Sequence, residues 1–130
     1  MITGLNKIDI LVKDWDATIE QYKKIFDTDV VRYSESRPGS GYKAAHIDFA
    51  KGHNIEIIVP TDETGPWAQR LAKHGDGIYL MNLTVDNLEQ TVEEMRGRGV
   101  RLPPPVGGNV VIHPSSAGGA LIRLEQDSAH

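Results

Sequence analysis

The chain contains no cysteine among its 130 residues. That excludes a disulfide framework, a thiolate metal site and a cysteine nucleophile, and it suits a reducing compartment. Aromatic residues are few, at two Trp, four Tyr and two Phe, yet the hydrophobic fraction of 39% stands well above the range of disordered chains. An excess of positive charge is missing as well. The formal net charge is −4 and the pI about 5.7, which gives no electrostatic support to nucleic-acid or anionic-membrane binding. No apolar run approaches the length of about 18 residues that a membrane helix needs. The opening MITGLNKID has neither a charged n-region nor an apolar h-region. These absences leave a soluble, cytoplasmic protein of ordinary domain size, with no nucleic-acid or membrane partner.

What is present is a sequence that says one thing twice. Residues 77–95, GIYLMNLTVDNLEQTVEEM, read as a buried strand, a cap and an amphipathic helix. Residues 6–25, NKIDILVKDWDATIEQYKKI, register on them without a gap. Val12 falls on Val85, Asp14 on Asn87, Trp15 on Leu88, Thr18 on Thr91, Ile19 on Val92 and Tyr22 on Met95. Two copies of so long a period do not make a solenoid. They predict an α+β domain over residues 1–130, built from duplicated βαβββ modules. Module one covers about 5–60, a linker helix about 61–76, and module two about 77–126.

In module one, Ile8, Ile10 and Val12 alternate with Lys7, Asp9 and Leu11, which is a strand with one charged face. Asp14 caps a helix whose Trp15, Ile19, Tyr22 and Ile25 or Phe26 recur at core spacing. A short strand over 28–33 and a Gly/Pro/Ser loop follow. Residues 43–50 and 54–60 then form a hairpin around Lys51-Gly52-His53. Its alternation places Ala45, Ile47 and Phe49 on one face and Ala44, His46 and Asp48 on the other. In the returning strand, Ile55, Ile57 and Val59 oppose Asn54, Glu56 and Ile58. Pro66 and Gly75 bracket a linker helix of about two turns. Module two repeats the plan: a strand to Val85, and a helix capped by Asn87 with Gln90 placed as in a capping box. A brief strand over 100–102 precedes the rigid connection through Pro103–Pro105, and strands over 109–113 and 120–125 close it.

A duplicated βαβββ chain of this length resembles the vicinal oxygen chelate superfamily, which includes glyoxalase I, extradiol dioxygenases, bleomycin and fosfomycin resistance proteins, and methylmalonyl-CoA epimerase. The similarity is greatest to the epimerase-like branch. It is carried by residues 65–88, GPWAQRLAKHGDGIYLMNLTVDNL, and 113–124, HPSSAGGALIRL. The resemblance implies a glyoxalase-like fold in which the modules form a curved mixed-sheet cup. It also implies a homodimer, and a divalent metal held by one side chain from each of four strands. Carried onto this sequence, the four ligand positions become Lys7, Glu56, Leu80 and Arg123. Leu cannot ligate a cation and Arg cannot be deprotonated to do so. The expectation is therefore a degenerate site with no metal and no cofactor. The catalytic Glu of the epimerase pattern falls at Ala44.

By alternation the polar face carries Lys7, Asp9, His46, Asp48, Glu56, Asn82, Thr84, Arg123 and Glu125. Buried charge must be paired, solvated or awaiting a ligand. Two accounts stand. In one, Lys7 with Glu56, and Arg123 with Glu125 or Asp9, form a salt-bridge network in the metal's place. In the other, His46, Asp9 and Glu56 are the acid–base groups. Lys7, Arg123, Asn82, Tyr79, Asp48 and Glu125 then bind substrate, together with His113 and Ser115 of the HPSSAGG loop. A displaced metal site on His46, Glu56 and Asp9 or Asp48 is a further alternative. The function expected is metal-independent proton transfer, by an isomerase or lyase, on a small oxygenated acid or acyl thioester. A metal-free small-molecule binding or resistance protein of the bleomycin-resistance type is the competitor.

Overall fold

The computed structural model describes residues 1–26, 32–33 and 39–128. The fold is α+β. Its strands are β1 (Ile2–Leu11), β2 (Arg32–Tyr33), β3 (Tyr42–Asp48), β4 (Asn54–Pro60), β5 (Gly77–Val85), β6 (Asn109–Ile112) and β7 (Ile122–Gln126). Its helices are α1 (Trp15–Ile25), α2 (Pro66–His74) and α3 (Leu88–Gly97). The chain falls into two compact units, Asp9–Ile78 on the one hand and Met1–Ile8 with Tyr79–His130 on the other. β1 contributes its first part to one unit and its last part to the other.

In the unit Asp9–Ile78 the strand order is β2-β3-β4-β1. Asp14 starts α1 by accepting a hydrogen bond from the Ala17 N–H at 3.0 Å. The core consists of Val12, Ile19, Ala45, Ile47 and Ile57, with Ile10, Trp15, Tyr22 and Ile55 packed against it. These are the positions that period two and period 3.6 select on strand and helix. Burying each large aliphatic side chain contributes roughly 1.5–3 kcal/mol. Three aromatic and aliphatic positions depart from expectation. Ile25 is 66% exposed, Phe26 39% and Phe49 42%. α1 ends at Ile25, and Phe49 lies just past β3, so neither position is held on the core face. Phe26 instead stacks on Tyr22 at 6.0 Å and meets the edge of Phe49 at 5.6 Å. The β3–β4 connection is a 3-10 turn over Ala50–Gly52, with Lys51 at φ 65°. That left-handed conformation is strained for a lysine. α2 stops where Gly75 turns to φ 72°. Of the strand expected over 28–33, only Arg32 and Tyr33 lie within the described residues.

In the other unit the order is β1-β5-β7-β6, with β5 and β7 parallel and β6 and β7 antiparallel. Val85, Leu88, Val92, Val110, Ile112 and Leu124 form its core. Asn87 caps α3 by accepting from the Gln90 N–H at 3.0 Å. The capping box is incomplete: Gln90 donates forward to Glu94 at 3.1 Å instead of reaching back. The strand expected over 100–102 does not form. Val100 N–H is taken by the Met95 carbonyl at 3.0 Å, and the Arg96 guanidinium donates to the carbonyls of Leu102 and Pro103 at 3.2 and 3.1 Å. With the Val100 N–H taken and Pro103–Pro105 offering none, too few donors remain here for a ladder. Val100 and Leu102 still pack on the core. Among the described residues no helix is long and apolar enough to cross a membrane.

Candidate functional site

Two polar clusters, one in each unit, gather most of the residues that the sequence singles out. In the unit Asp9–Ile78, the β3–β4 ladder sets His46 opposite Glu56 and Asp48 opposite Asn54. Both His46 and Glu56 are buried, at 8% and 6% exposure. His46 Nδ1 lies 3.0 Å from Asn54 Oδ1 and 3.9 Å from a Glu56 carboxylate oxygen. The first is a hydrogen bond. The second is too long for one and acts through charge alone. Ala44, Ile58 and Leu11 occupy the same face of the sheet and are buried, so the imidazole and carboxylate stand among apolar neighbours. Such surroundings strengthen every electrostatic interaction. Asp9 is buried as well, on the face of β1 opposite the core residues Ile10 and Val12.

Asp48 is placed differently. It is exposed and forms a bidentate pair with Arg32, at 2.9 and 3.0 Å. The hydrogen-bonded guanidinium holds the Asp48 carboxyl below the usual carboxylate range, and the carboxylate in turn raises Arg32. This pair occupies Asp48 with a surface contact.

In the other unit the parallel register sets Asn82 beside Arg123 and Thr84 beside Glu125. Arg123 Nε donates to Asn82 Oδ1 at 2.7 Å. That bond fixes the amide orientation and aims Nδ2 the other way. Asn82 is fully buried, and its Nδ2 has no acceptor among the described residues. The expected pairing of Arg123 with Glu125 is absent: Glu125 accepts from Asn6 Nδ2 at 2.7 Å. Lys7 is half-buried on β1 and Tyr79 half-buried on β5, and both have interaction partners. By alternation Tyr79 shares a face with Met81 and Leu83, the side of β5 away from Asn82.

His113 and Ser115 lie in the turn after β6. His113 Nδ1 accepts from the Ser115 N–H at 3.1 Å and faces the Ser115 hydroxyl at 2.7 Å. Together with Arg101, Leu102, Pro103 and Ser116 they line a cavity of about 320 Å3. A larger open groove of about 750 Å3 runs along the start of α3. Its lining is acidic and includes none of the candidate residues, so its size carries no functional weight here.

Sequence reasoning missed three partners. Asn54 sits on the polar face of β4, but its bond to His46 depends on the hairpin register. Arg32 lies on a strand of two residues, too short to show periodicity. Asn6 meets Glu125 through a pairing that no local pattern encodes.

A family model described as the glyoxalase/bleomycin resistance protein/dioxygenase superfamily matches residues 6–111. The chain belongs to this superfamily. Mitochondrial methylmalonyl-CoA epimerase of Homo sapiens is 26% identical over 94% of this chain and 73% of its own length. Among solved structures, methylmalonyl-CoA epimerase from Mycobacterium tuberculosis is 30% identical, with a TM-score of 0.78 over 98% of this chain and 89% of that one. A hypothetical protein from Bacillus halodurans C-125 gives a TM-score of 0.80 at 25% identity, over 96% of this chain and 94% of that one. Within the superfamily the chain is therefore epimerase-like.

The metal that the resemblance implies does not fit the side chains at its four positions. Leu80 has no donor atom and is buried. Arg123 is a cation already bonded to Asn82, and Lys7 is a second cation; Glu56 alone offers an anionic oxygen. No group of three or more His, Cys, Asp or Glu among the described residues is placed to hold an ion, the trio of His46, Glu56 and Asp9 or Asp48 included.

Proposed function

We propose that this chain is a metal-independent proton-transfer enzyme, an isomerase or lyase acting on a small oxygenated acid or acyl thioester. The observation that carries the reading is Arg123. Its guanidinium has one hydrogen bond, to the neutral Asn82, and no carboxylate partner among the described residues. A guanidinium offers five N–H donors in a planar fork matched to a carboxylate or an enolate oxygen. One of the five, the Nε–H, is taken by Asn82 Oδ1, which leaves the terminal N–H groups of the fork to a ligand. Donors preorganised in this way stabilise charge that develops on oxygen without reorganising during the reaction.

His46, in the unit Asp9–Ile78, has the acid–base capacity that such chemistry needs. The chemistry is removal of a proton from the carbon next to a carbonyl. The C–H pair moves into the C–C bond of an enolate, the carbonyl oxygen takes the charge, and the proton passes to the imidazole. Return of a proton to either face of the carbon completes an epimerisation and restores the histidine. The relatives named methylmalonyl-CoA epimerase support an acyl thioester as the substrate class.

The test is exchange of the α-proton of methylmalonyl-CoA for solvent deuterium, followed by NMR with protein stripped by chelator. Exchange should continue after stripping. His46→Ala should slow it by about 10²–10⁴-fold, the usual share of general acid–base catalysis, and Arg123→Met should weaken it also. Exchange that stops with the chelator and returns with added Co²⁺ would refute metal independence. Unchanged rates in both variants would remove the residue assignments. Stoichiometric binding without exchange would make the chain a binding protein of the bleomycin-resistance type.

A further inference from the structure

We infer that Asn54 is a positioning residue that sets the tautomer of His46, keeping the ring proton on Nδ1 and the lone pair on Nε2. The assignment rests on the acid–base reading of His46 for its catalytic meaning, but not for its geometry.

The β3–β4 register pairs His46 with Glu56 and Asp48 with Asn54, so Asn54 is the diagonal neighbour of His46 on the same face. Diagonal pairs in an antiparallel ladder are within reach of long or polar side chains. Asn54 Oδ1 lies 3.0 Å from Nδ1. A carbonyl oxygen accepts only, so Nδ1 must donate, and a neutral imidazole with its proton on Nδ1 carries its lone pair on Nε2. The Glu56 carboxylate, 3.9 Å from the same nitrogen, favours the same placement of the proton. Two acceptors therefore face Nδ1 from one strand, and they divide the work. Asn54 supplies direction through a hydrogen bond. Glu56 supplies charge from beyond hydrogen-bond distance.

This division has a chemical purpose. A carboxylate bonded directly to Nδ1 would hold the imidazole toward its protonated form before reaction. A neutral amide fixes the tautomer and the ring plane through one hydrogen bond. The same logic of a base oriented by a third group recurs wherever a histidine serves in proton transfer. The other charged groups of this face are Asp9 on β1, Asp48 on β3 and Arg32 on β2. Arg32 stands opposite His46 in register, but its guanidinium is bound to Asp48.

The measurement is the long-range ¹H–¹⁵N correlation spectrum of the full chain with ¹⁵N-labelled histidine, recorded where His46 is neutral and assigned with His46→Gln. Wild type should show Nδ1 protonated and Nε2 bare. Asn54→Leu should lose that preference, and Asn54→Asp should keep it. In turnover, Asn54→Leu should lower kcat by about tenfold or more with KM little changed, and Asn54→Asp should recover part of the loss. A wild-type spectrum with the proton on Nε2 overturns the inference without any variant, so misfolding of Asn54→Leu cannot shelter it. An unaltered tautomer in a folded Asn54→Leu overturns it equally. The stated tautomer in a chain that turns over no acyl thioester upholds the placement of the proton and sinks the acid–base reading instead.

Discussion

Asn82→Asp separates a structural role for the Asn82–Arg123 pair from a ligand-binding one. The change is isosteric, so it opens no cavity and forces no repacking. In the protein as it stands, Asn82 is fully buried with Nδ2 unsatisfied among the described residues. An orphaned buried donor costs about 1–3 kcal/mol, and the substitution removes it. The 2.7 Å bond from Arg123 Nε is kept and becomes an ion pair. Its gain is set against the cost of burying a carboxylate, and such exchanges come out near break-even. Stability should therefore stay within about 1–2 kcal/mol of wild type.

Binding should move much further. The variant sets a carboxylate against Arg123 and neutralises the charge that a ligand's oxyanion would meet. Loss of one hydrogen bond to a charged group, about 1.5–3 kcal/mol, weakens binding by roughly 10–150-fold. Urea unfolding and calorimetric titration with methylmalonyl-CoA read the two quantities on the same samples. A variant that loses more than about 3 kcal/mol of stability while binding as wild type does would show that the pair only builds the sheet, and the reasoning would fail.

Other expectations follow from the same geometry. The duplicated helices carry a threonine at matching positions, yet Thr18 donates to the Asp14 carbonyl at 2.7 Å whereas buried Thr91 Oγ1 has no partner among the described residues. Thr18→Val should cost about 0.5–1.5 kcal/mol and Thr91→Val should be neutral or stabilising, by chemical denaturation; equal losses at both would contradict the assignment. Arg32→Met should cost only about 0.2–1 kcal/mol, since the pair with Asp48 is exposed. Because Asp48 is lowered by Arg32, that difference should be present at neutral pH and vanish as pH falls through the lowered Asp48 value. High salt should shrink it too, and a difference that persists in acid would rule out the ion pair as its cause.

Much of the fold was legible in the sequence because its signals are local. The repeat from Asn6 and from Gly77 brings two caps, Asp14 and Asn87, and two helices with matching core positions at Ile19 and Val92. Alternation likewise separated Ala45 and Ile47 from Ala44 and His46, since a strand's faces are fixed by a period of two. Local signals also misled where backbone groups had another use. Residues 100–102 have strand composition, but the end of α3 claims their polar groups, and Ile25 and Phe26 continue the helical spacing past the point where the helix can bury them.

The sequence alone thus determined which side chains share a face, and with the family resemblance it indicated that Lys7, Leu80 and Arg123 are poor metal ligands. It could not determine which of those side chains touch. His46 meets Asn54 because of the hairpin register, Arg123 meets Asn82 because β5 and β7 run parallel, and Asp48 is drawn away by Arg32 from a strand only two residues long. Register is a property of pairs of strands, and a slip of one residue would turn each of these side chains to the opposite face. Only the tertiary structure, by fixing those pairings, decided that Arg123 rests on a neutral amide rather than on a carboxylate.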